Sequence, residues 1–366
     1  MRNLGRFVYL LALLFSAAQL TAETTGAHSG LAARIDRLMT ASYAADEPGA
    51  AVIVVDDGEV VYRGARGMAN LELGVPLTPD HVFRLGSITK QFTAVAILLL
   101  EERGKLSVQD PITKYLPDYP TDGHTITIEH LLTHTSGIFS YTSIPGYMDA
   151  KVQRDLTVDE LIDEFDDQEM EFAPGERWSY SNSGYVLLGA IIEKVSGSSY
   201  ADFIDEHIFT PLGMTASEYG GLQLIPKRAA GYARDGAGGY RNAPYLSMTQ
   251  PHAAGSLLST VDDLALWDRA LDSDELLAAS SRQRMFTPYD LAGGDPTTYG
   301  YGFVIDTFRG TRAISHGGGI FGFSTFAVRL PEEGVYVAVL SNGAPVDPGL
   351  IAQKLAALAI GKPLTE

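Results

Sequence analysis

The stretch GSITKQFTAVAILLLEER, residues 86–103, is the most informative segment of the chain, because a serine and a lysine three residues later lie at the start of a long apolar run. Its apolar side chains recur at the spacing of one helix face, at Ile88, Phe92, Val95 and Leu99, which predicts a helix that begins near Ser87. Residues three apart share a helix face, so the Lys90 amine can lie beside the Ser87 hydroxyl and, once desolvated, accept its proton. A Ser-x-x-Lys pair arises about once by chance in a chain of this length, so the pair alone is weak evidence. Its position at the start of a predicted helix is what makes Ser87 a candidate nucleophile.

The regions on both sides of this helix predict a sheet built from the two ends of the chain. The run AAVIVVDDGEVVYRGARGMANLE, residues 50–72, is β-rich on both sides of Asp57-Gly58, a strong hairpin signal. Four further β-rich runs lie between turn residues near the C-terminus, over 299–306, 311–318, 322–331 and 334–342, and a helix follows them.

The middle of the chain is predicted to be mostly helical. Helices are expected over 156–166 and 184–197, where Gly197 is suited to end the second one. The Gly- and Tyr-rich segment 231–245 is predicted to be a surface loop, with the possibility that it covers a cleft.

These patterns together predict an α/β protein of the α+β sandwich type. A mainly antiparallel sheet from both chain ends would be flanked by helices, with a mostly helical lobe inserted over about 88–295. Such an insertion places the start of its first helix next to the last strands, and a cleft at this point is the natural site for a ligand. We expect residues 23–366 to form one domain.

The N-terminus and the composition limit the functional classes. Residues 1–22 predict a signal peptide, because Arg2 and Arg6 precede a short apolar run and small residues up to Ala22. A periplasmic or secreted protein without stable membrane insertion is therefore expected. Loss of those two arginines changes the formal charge from −18 to −20, which opposes nucleic acid as a partner. With no cysteine, the chain forms no disulfides.

A second polar group able to relay protons is offered by Tyr180-Ser181-Asn182, just before the predicted helix at 184–197. Tyr180 could act as a base if the positive charge of Lys90 lowered the pKa of its phenol. The Asn182 amide could orient Lys90 and hold a substrate carbonyl. Tyr240-Arg241-Asn242 has the same Tyr-x-Asn spacing, but it lies in the Gly-rich segment without a following helix to fix it.

The third candidate is ISHGGG, residues 314–319, on a predicted strand. Its glycines would let a substrate backbone approach, and the Gly319 N–H could join the Ser87 N–H in binding an oxyanion. His316 could add a hydrogen bond or a partial charge. The alternative interpretation of this motif is a Gly-rich turn with an exposed histidine.

A metal site at His130 and His134 is not expected, although residues four apart can share a helix face. The segment lacks the Glu that follows the first His in zinc protease helices, and nothing nearby would complete the coordination. Neither a metal nor another cofactor is predicted, and the expected partner is a small-molecule or peptide substrate.

Four motifs, taken in order and separation, resemble the serine β-lactamase and penicillin-binding protein superfamily. The closest likeness is to the branch with class C β-lactamases, D-alanyl-D-alanine carboxypeptidases, D-amino-acid peptidases and related carboxylesterases. The resemblance runs from about Leu31 to the end of the chain. The motifs are RLGSITKQFTA (84–94), HLLTHTSG (130–137), PGERWSYSNSGYVLLG (174–189) and SHGGGIFGF (315–323).

The resemblance implies a β-lactamase/transpeptidase-like fold and a role for each matching residue. Ser87 matches the acylated nucleophile, Lys90 its proton acceptor and Tyr180 the second acid/base. The implied substrate-binding positions are Asn182, His316 and Gly318. Hydrolysis of an amide or ester would then pass through an acyl-enzyme.

The third motif departs from the form found in many of these proteins. They have Lys-Thr-Gly where this chain has His316-Gly317-Gly318, so a permanent cation and a hydroxyl donor for the substrate carboxylate are missing. This favours D-amino-acid peptides or peptidoglycan stems as substrates over β-lactams. A carboxylesterase or a class C-like β-lactamase using the same residues is the alternative, and a non-catalytic cell-envelope binding protein is a third hypothesis.

Overall fold

The computed structural model describes residues 30–343 and 345–364, so the predicted signal peptide lies outside the described residues. The strands are β1 (Ala50–Asp56), β2 (Glu59–Arg66), β3 (Met68–Asn70), β4 (Val75–Pro76), β5 (Phe83–Arg84), β6 (Glu218–Tyr219), β7 (Tyr232–Arg234), β8 (Tyr240–Asn242), β9 (Leu257–Ser259), β10 (Val304–Phe308), β11 (Thr311–Ile320), β12 (Phe323–Leu330) and β13 (Val335–Ser341).

The helices are α1 (30–42), α2 (Thr89–Glu102), α3 (Ile128–Leu132), α4 (Tyr147–Ala150), α5 (Val158–Ile162), α6 (Asn182–Ser196), α7 (Tyr200–Ile204), α8 (Thr210–Leu212), α9 (His252–Gly255), α10 (Val261–Leu271), α11 (Ala279–Met285) and α12 (Pro348–Ala359). Short 3-10 turns lie at Gly86–Ile88, Ile112–Lys114 and Tyr141–Ser143, and a π-helical turn lies at Asp205–Phe209. No helix within the described residues is long and apolar enough to cross a membrane.

The main sheet joins both ends of the chain, as predicted. Its six strands are antiparallel in the order β10-β11-β12-β13-β1-β2, and Asp57-Gly58 forms the turn between β1 and β2. The glycine has a φ of +79°, which the hairpin turn requires. The prediction of an antiparallel sheet with a helical insertion is confirmed.

The sheet is buried on both faces because its strands alternate between two apolar cores. On β1, Val52 and Val54 pack with Ile35 of α1 and Leu355 of α12. The alternate residue Ile53 faces the larger core, which contains α2, α6 and α10. Side chains one residue apart point to opposite faces of a strand, so this pattern yields a three-layer arrangement of helices, sheet and helical lobe.

The start of α2 is anchored to the sheet by close backbone approaches. The Thr325 hydroxyl of β12 donates to the Leu85 carbonyl at 2.7 Å. A Cβ on Gly318 of β11 would lie 2.0 Å from the same oxygen, so only glycine fits there. The Leu85 N–H also donates to the Leu257 carbonyl of β9 at 2.9 Å. These contacts place Ser87, which follows Gly86, at the edge of the sheet.

Three predicted elements differ from those observed. The strand predicted over 299–306 begins only at Val304, because a Cβ on Gly302 would lie 2.7 Å from the Lys90 carbonyl and the segment packs on α2 instead. The helix predicted over 156–166 is limited to Val158–Ile162. The segment 231–245 is not a loop throughout, since β7 and β8 pair as a hairpin within it.

Candidate active site

Ser87 lies in the 3-10 turn directly before α2, and its side chain is partly exposed. The preceding Gly86 has a φ of +56°, and a Cβ there would lie 2.9 Å from the backbone nitrogen of Gly319 on β11. Glycine alone combines a left-handed backbone with such an approach at little cost. The turn therefore brings Ser87 beside the third motif, as the sequence predicted.

Lys90 is buried one turn into the helix and makes three polar contacts through Nζ. Nζ lies 2.8 Å from Asn182 Oδ1, 2.8 Å from the Ala254 carbonyl oxygen and 3.2 Å from Ser87 Oγ. A carbonyl oxygen only accepts. The oxygen of the Asn182 amide is identified because its Nδ2 donates to Thr142 Oγ1 at 3.1 Å. Two N–H bonds of Lys90 are thus directed away from the serine.

The electrostatics of the site favour an uncharged lysine. Burial lowers the pKa of Lys90 well below its ordinary value, and all three partners of its Nζ are neutral groups. A neutral amine with both N–H bonds committed has its lone pair left for the third contact, Ser87 Oγ. This is the geometry of a base that takes the hydroxyl proton.

Tyr180 stands on the other side of the same pair. Its ring centroid is 4.7 Å from Lys90 Nζ. Loss of water raises the pKa of Tyr180, and an interaction with the Ser87 hydroxyl only partly opposes this. The expectation that a Lys90 cation lowers this pKa is wrong, because burial favours the neutral form of both groups. In the resting site Tyr180 is a phenol able to donate or relay a proton.

His134 fixes the segment that carries Tyr180. Its Nδ1 accepts the Ser181 N–H at 3.1 Å, and its ring centroid lies 4.2 Å from that of Tyr180. His130 instead uses Nδ1 to accept the Thr127 N–H at the start of α3. This helix ends at Leu132, so the two histidines do not share a helix face. Their contacts are those of positioning groups.

The third motif holds His316 as a neutral ring. Its Nδ1 lies 2.6 Å from the Gly317 carbonyl oxygen and must therefore donate, so Nε2 accepts from the Tyr299 hydroxyl at 2.7 Å. Burial, with a smaller effect of Lys90, lowers the pKa of His316 to about 3. Both ring nitrogens have protein partners, and the side chain supplies no positive charge near neutral pH.

Gly318 and Gly319 of the third motif have different surroundings. Gly318 is buried against Leu85 and makes the close packing possible, whereas a Cβ on Gly319 would meet no atom within 4 Å. Gly319 is exposed beside the turn that carries Ser87. Its position is compatible with the predicted pair of backbone N–H donors, from Ser87 and Gly319.

Comparison with known proteins agrees with this fold. A family model described as Beta-lactamase matches residues 31–361. The chain belongs to the beta-lactamase family. It is 35% identical over 311 residues to penicillin-binding protein 4* of Bacillus subtilis (strain 168), which covers 80% of this chain and 67% of that protein.

Two further relatives differ in the activity that their names state. Esterase EstB of Burkholderia gladioli is 36% identical over 222 residues, 57% of this chain and 56% of that protein. The crystal structure of a D-stereospecific amidohydrolase from Streptomyces sp. matches with a TM-score of 0.77 and 30% identity, over 91% of this chain and 99% of that one. The chain thus spans little more than half to two thirds of the curated relatives' lengths. It is an enzyme of the serine hydrolase type.

In this beta-lactamase family member, a cavity of about 340 Å³ opens beside Ser87. Polar groups at one end are Ser87, Asn182 and Thr142. The rest of the wall is mostly apolar and carries no charged side chain; its residues are Tyr141, Met148, Val152, Leu246, Gln250, Pro251, Ala254, Gly319, Ile320 and Phe321. A larger cavity of about 570 Å³ lies beside α10 and holds none of the predicted site residues, so the smaller one is the candidate substrate site.

Sequence reasoning missed three groups that shape the site. Ala254 contributes only its carbonyl, so its residue type gives no signal. Thr142 fixes the Asn182 amide, and the polar run SYTS at 140–143 after the second motif could have pointed to it. His134 was considered only as a metal ligand, although its approach to Tyr180 gives it a positioning role.

Proposed function

We propose that this chain is an exported serine hydrolase that cleaves amide or ester bonds through an acyl-enzyme on Ser87, with D-amino-acid peptides or peptidoglycan stems as the first substrate class. The observation that carries the proposal is the coordination of Lys90. Its two N–H bonds point to Asn182 and Ala254, and the remaining contact is the Ser87 hydroxyl. This arrangement supports Lys90 as the base.

The chemistry follows from these positions. Ser87 Oγ attacks the carbonyl carbon while its proton passes to Lys90 Nζ, and the oxyanion lies between the N–H groups of Ser87 and Gly319. The C–N or C–O bond then breaks, and Lys90, through the Tyr180 phenol, returns the proton to the leaving group. Water then attacks the acyl-enzyme carbonyl with the same proton transfers, and the Ser87–acyl bond breaks to release the acid. Asn182 keeps Lys90 oriented in each step.

One relative supports D-configured amides as substrates through its name, the D-stereospecific amidohydrolase. A specific observation favours a carboxylesterase as the second candidate. The cavity has no charged side chain in its wall and His316 is neutral, so recognition of a carboxylate has little support. The same feature makes efficient β-lactam turnover the weakest of the three possibilities.

The test is intact-protein mass spectrometry after brief incubation with four substrates. These are an aryl ester, a D-amino-acid amide, a D-Ala-D-Ala peptide and benzylpenicillin, each paired with an assay of product. An adduct or turnover that disappears in Ser87→Ala but survives in Ser143→Ala, an exposed serine on the turn at the cavity, supports the proposal. Turnover that persists in Ser87→Ala contradicts it, and the preferred substrate decides between peptidase and esterase.

Export is proposed on the N-terminal sequence alone. Expression of the full chain in a bacterial host, followed by fractionation and N-terminal sequencing, tests it. A mature N-terminus near residue 23 in the periplasm or medium is the expected result. Retention of Met1 in the cytoplasm would contradict the proposal.

A further inference from the structure

Trp178 is an exposed aromatic side chain beside the proposed acid/base. It is 44% exposed, whereas Trp267, the other tryptophan of the chain, is buried and stacks on Phe92. The Trp178 ring centroid is 6.4 Å from that of Tyr180 and 6.1 Å from that of Tyr299. Its indole N–H has no hydrogen-bond partner among the described residues. Aromatic side chains are typical of the walls of ligand-binding sites.

The position of Tyr180 indicates which part of a substrate would reach this ring. A departing nitrogen or oxygen must take a proton as its bond to carbon breaks, so it has to lie within hydrogen-bond reach of Tyr180 or Lys90. Neither Tyr180 nor His316 belongs to the wall of the apolar cavity. The acyl group therefore fits that cavity, and the leaving group lies on the side of Tyr180 and Trp178.

Charged side chains of both signs flank Trp178 in sequence, and each has a protein partner. The Arg177 guanidinium donates to the Glu171 carbonyl oxygen at 2.6 Å and lies 4.7 Å from the centroid of the Phe172 ring. The Glu171 carboxylate accepts from the Ser179 hydroxyl at 3.0 Å, close in sequence to Trp178. His316 is neutral, so the third motif adds no cation. A leaving group with a carboxylate, such as a C-terminal amino acid, would therefore meet only neutral side chains at Tyr180, Trp178 and His316.

We infer that Trp178 is a specificity-determining residue whose ring binds the leaving group, and that it selects uncharged aromatic leaving groups such as aryl alcohols and arylamines. The inference rests on the proposed acyl-enzyme chemistry and, among its candidate substrates, favours esters and amides with uncharged leaving groups over peptides that release a C-terminal amino acid. Aromatic rings prefer offset or edge-to-face contacts, both of which an exposed indole allows.

The first test compares two esters with the same acyl group, one with an aryl and one with an alkyl leaving group. Trp178→Ala should lower kcat/KM for the aryl ester by about threefold to tenfold, the range expected for the loss of one aromatic contact, and leave the alkyl ester nearly unchanged. Trp178→Phe should restore most of the aryl preference. Both esters form the same acyl-enzyme, so kcat should be unaffected wherever deacylation is limiting.

A purely structural role for Trp178 predicts something else. Trp178→Ala would then disturb Tyr180 and lower kcat/KM for both esters equally, and that result would overturn the inference while a Ser87 adduct still formed. If wild-type protein forms no adduct and turns over none of the four substrates of the first experiment, the proposed function fails, and the inference fails with it. The two failures are therefore distinguishable.

Intrinsic fluorescence gives a binding readout without turnover. In Ser87→Ala, 4-nitroaniline, an uncharged arylamine, should quench the fluorescence of the exposed Trp178 saturably. The quenching should disappear in the double variant Ser87→Ala/Trp178→Ala, which removes both the fluorophore and the aromatic contact, after correction for absorption by the probe with free tryptophan. Saturable quenching that persists in the double variant would place the probe elsewhere and contradict the inference.

Discussion

Replacement of Lys90 by Met should reveal the protonation state of this lysine through the pH dependence of folding stability. Met keeps most of the side-chain volume but cannot ionise. The structure buries Lys90 completely and gives its Nζ only neutral partners, which lowers its pKa in the folded state. In the unfolded chain the lysine returns to an ordinary pKa near 10.5.

The sign follows from the protons bound in each state. Between the folded and unfolded pKa values, the unfolded chain holds one proton on Lys90 and the folded protein holds none, so stability rises with pH. The slope is about 1.4 kcal/mol per pH unit. The free energy of unfolding of wild type relative to Lys90→Met should therefore increase by about 2 kcal/mol between about pH 8 and about pH 9.5.

Urea unfolding of both proteins at several pH values measures this difference. The absolute offset also includes the buried acceptors of Asn182 and Ala254 that Met leaves unpaired, but these do not titrate, so the slope is the informative quantity. Lys105→Met, which removes an exposed lysine, controls for the loss of one positive charge. A difference between wild type and Lys90→Met that stays constant with pH would mean that Lys90 remains an ammonium in the folded protein, and would refute its assignment as the base.

Three further outcomes follow from the site. Asn182→Ala removes one acceptor of Lys90 and should lower kcat/KM about tenfold to a hundredfold, measured on any turned-over ester. Because the pKa of His316 is about 3, the pH–rate profile should show no inflection from this residue between about pH 5 and about pH 8, and His316→Gln should not alter its shape there. Gly318→Ala should destabilise the fold by about 1–3 kcal/mol or more, because its Cβ would lie 2.0 Å from the Leu85 carbonyl, whereas Gly319→Ala should unfold like wild type in thermal melts.

Local patterns were sufficient to predict the sheet and the first pair of the site. The β1–β2 hairpin depends on Asp57-Gly58, and the contact between Ser87 and Lys90 depends on helical spacing within one segment. The meeting of the chain ends follows from the order of β-rich and helical runs. The hairpin and the Ser87–Lys90 contact are encoded within a few residues and the meeting of the chain ends in the order of the elements, which is why the sequence alone identified them.

The features that sequence reasoning missed depend on long-range packing. The Ala254 carbonyl reaches Lys90 from 164 residues away, and nothing in an alanine marks it as a partner. Gly302 looks like part of a strand, yet its lack of a side chain serves the close approach to the Lys90 backbone, which delays β10 to Val304. The prediction that the pKa of Tyr180 is lowered was wrong for the same reason, because the burial of a side chain cannot be judged from its neighbours in sequence.

The site as a whole is built to be electrically neutral at rest, and this links its chemistry to its selectivity. Burial favours the neutral forms of Lys90, Tyr180 and His316, and hydrogen bonds rather than ion pairs fix their orientation. A neutral lysine can take the Ser87 proton without first losing its own. The same absence of charge removes the attraction that a substrate carboxylate would need. A proton relay of this kind therefore favours uncharged substrates, held by the apolar cavity on one side and, in our proposal, by Trp178 on the other.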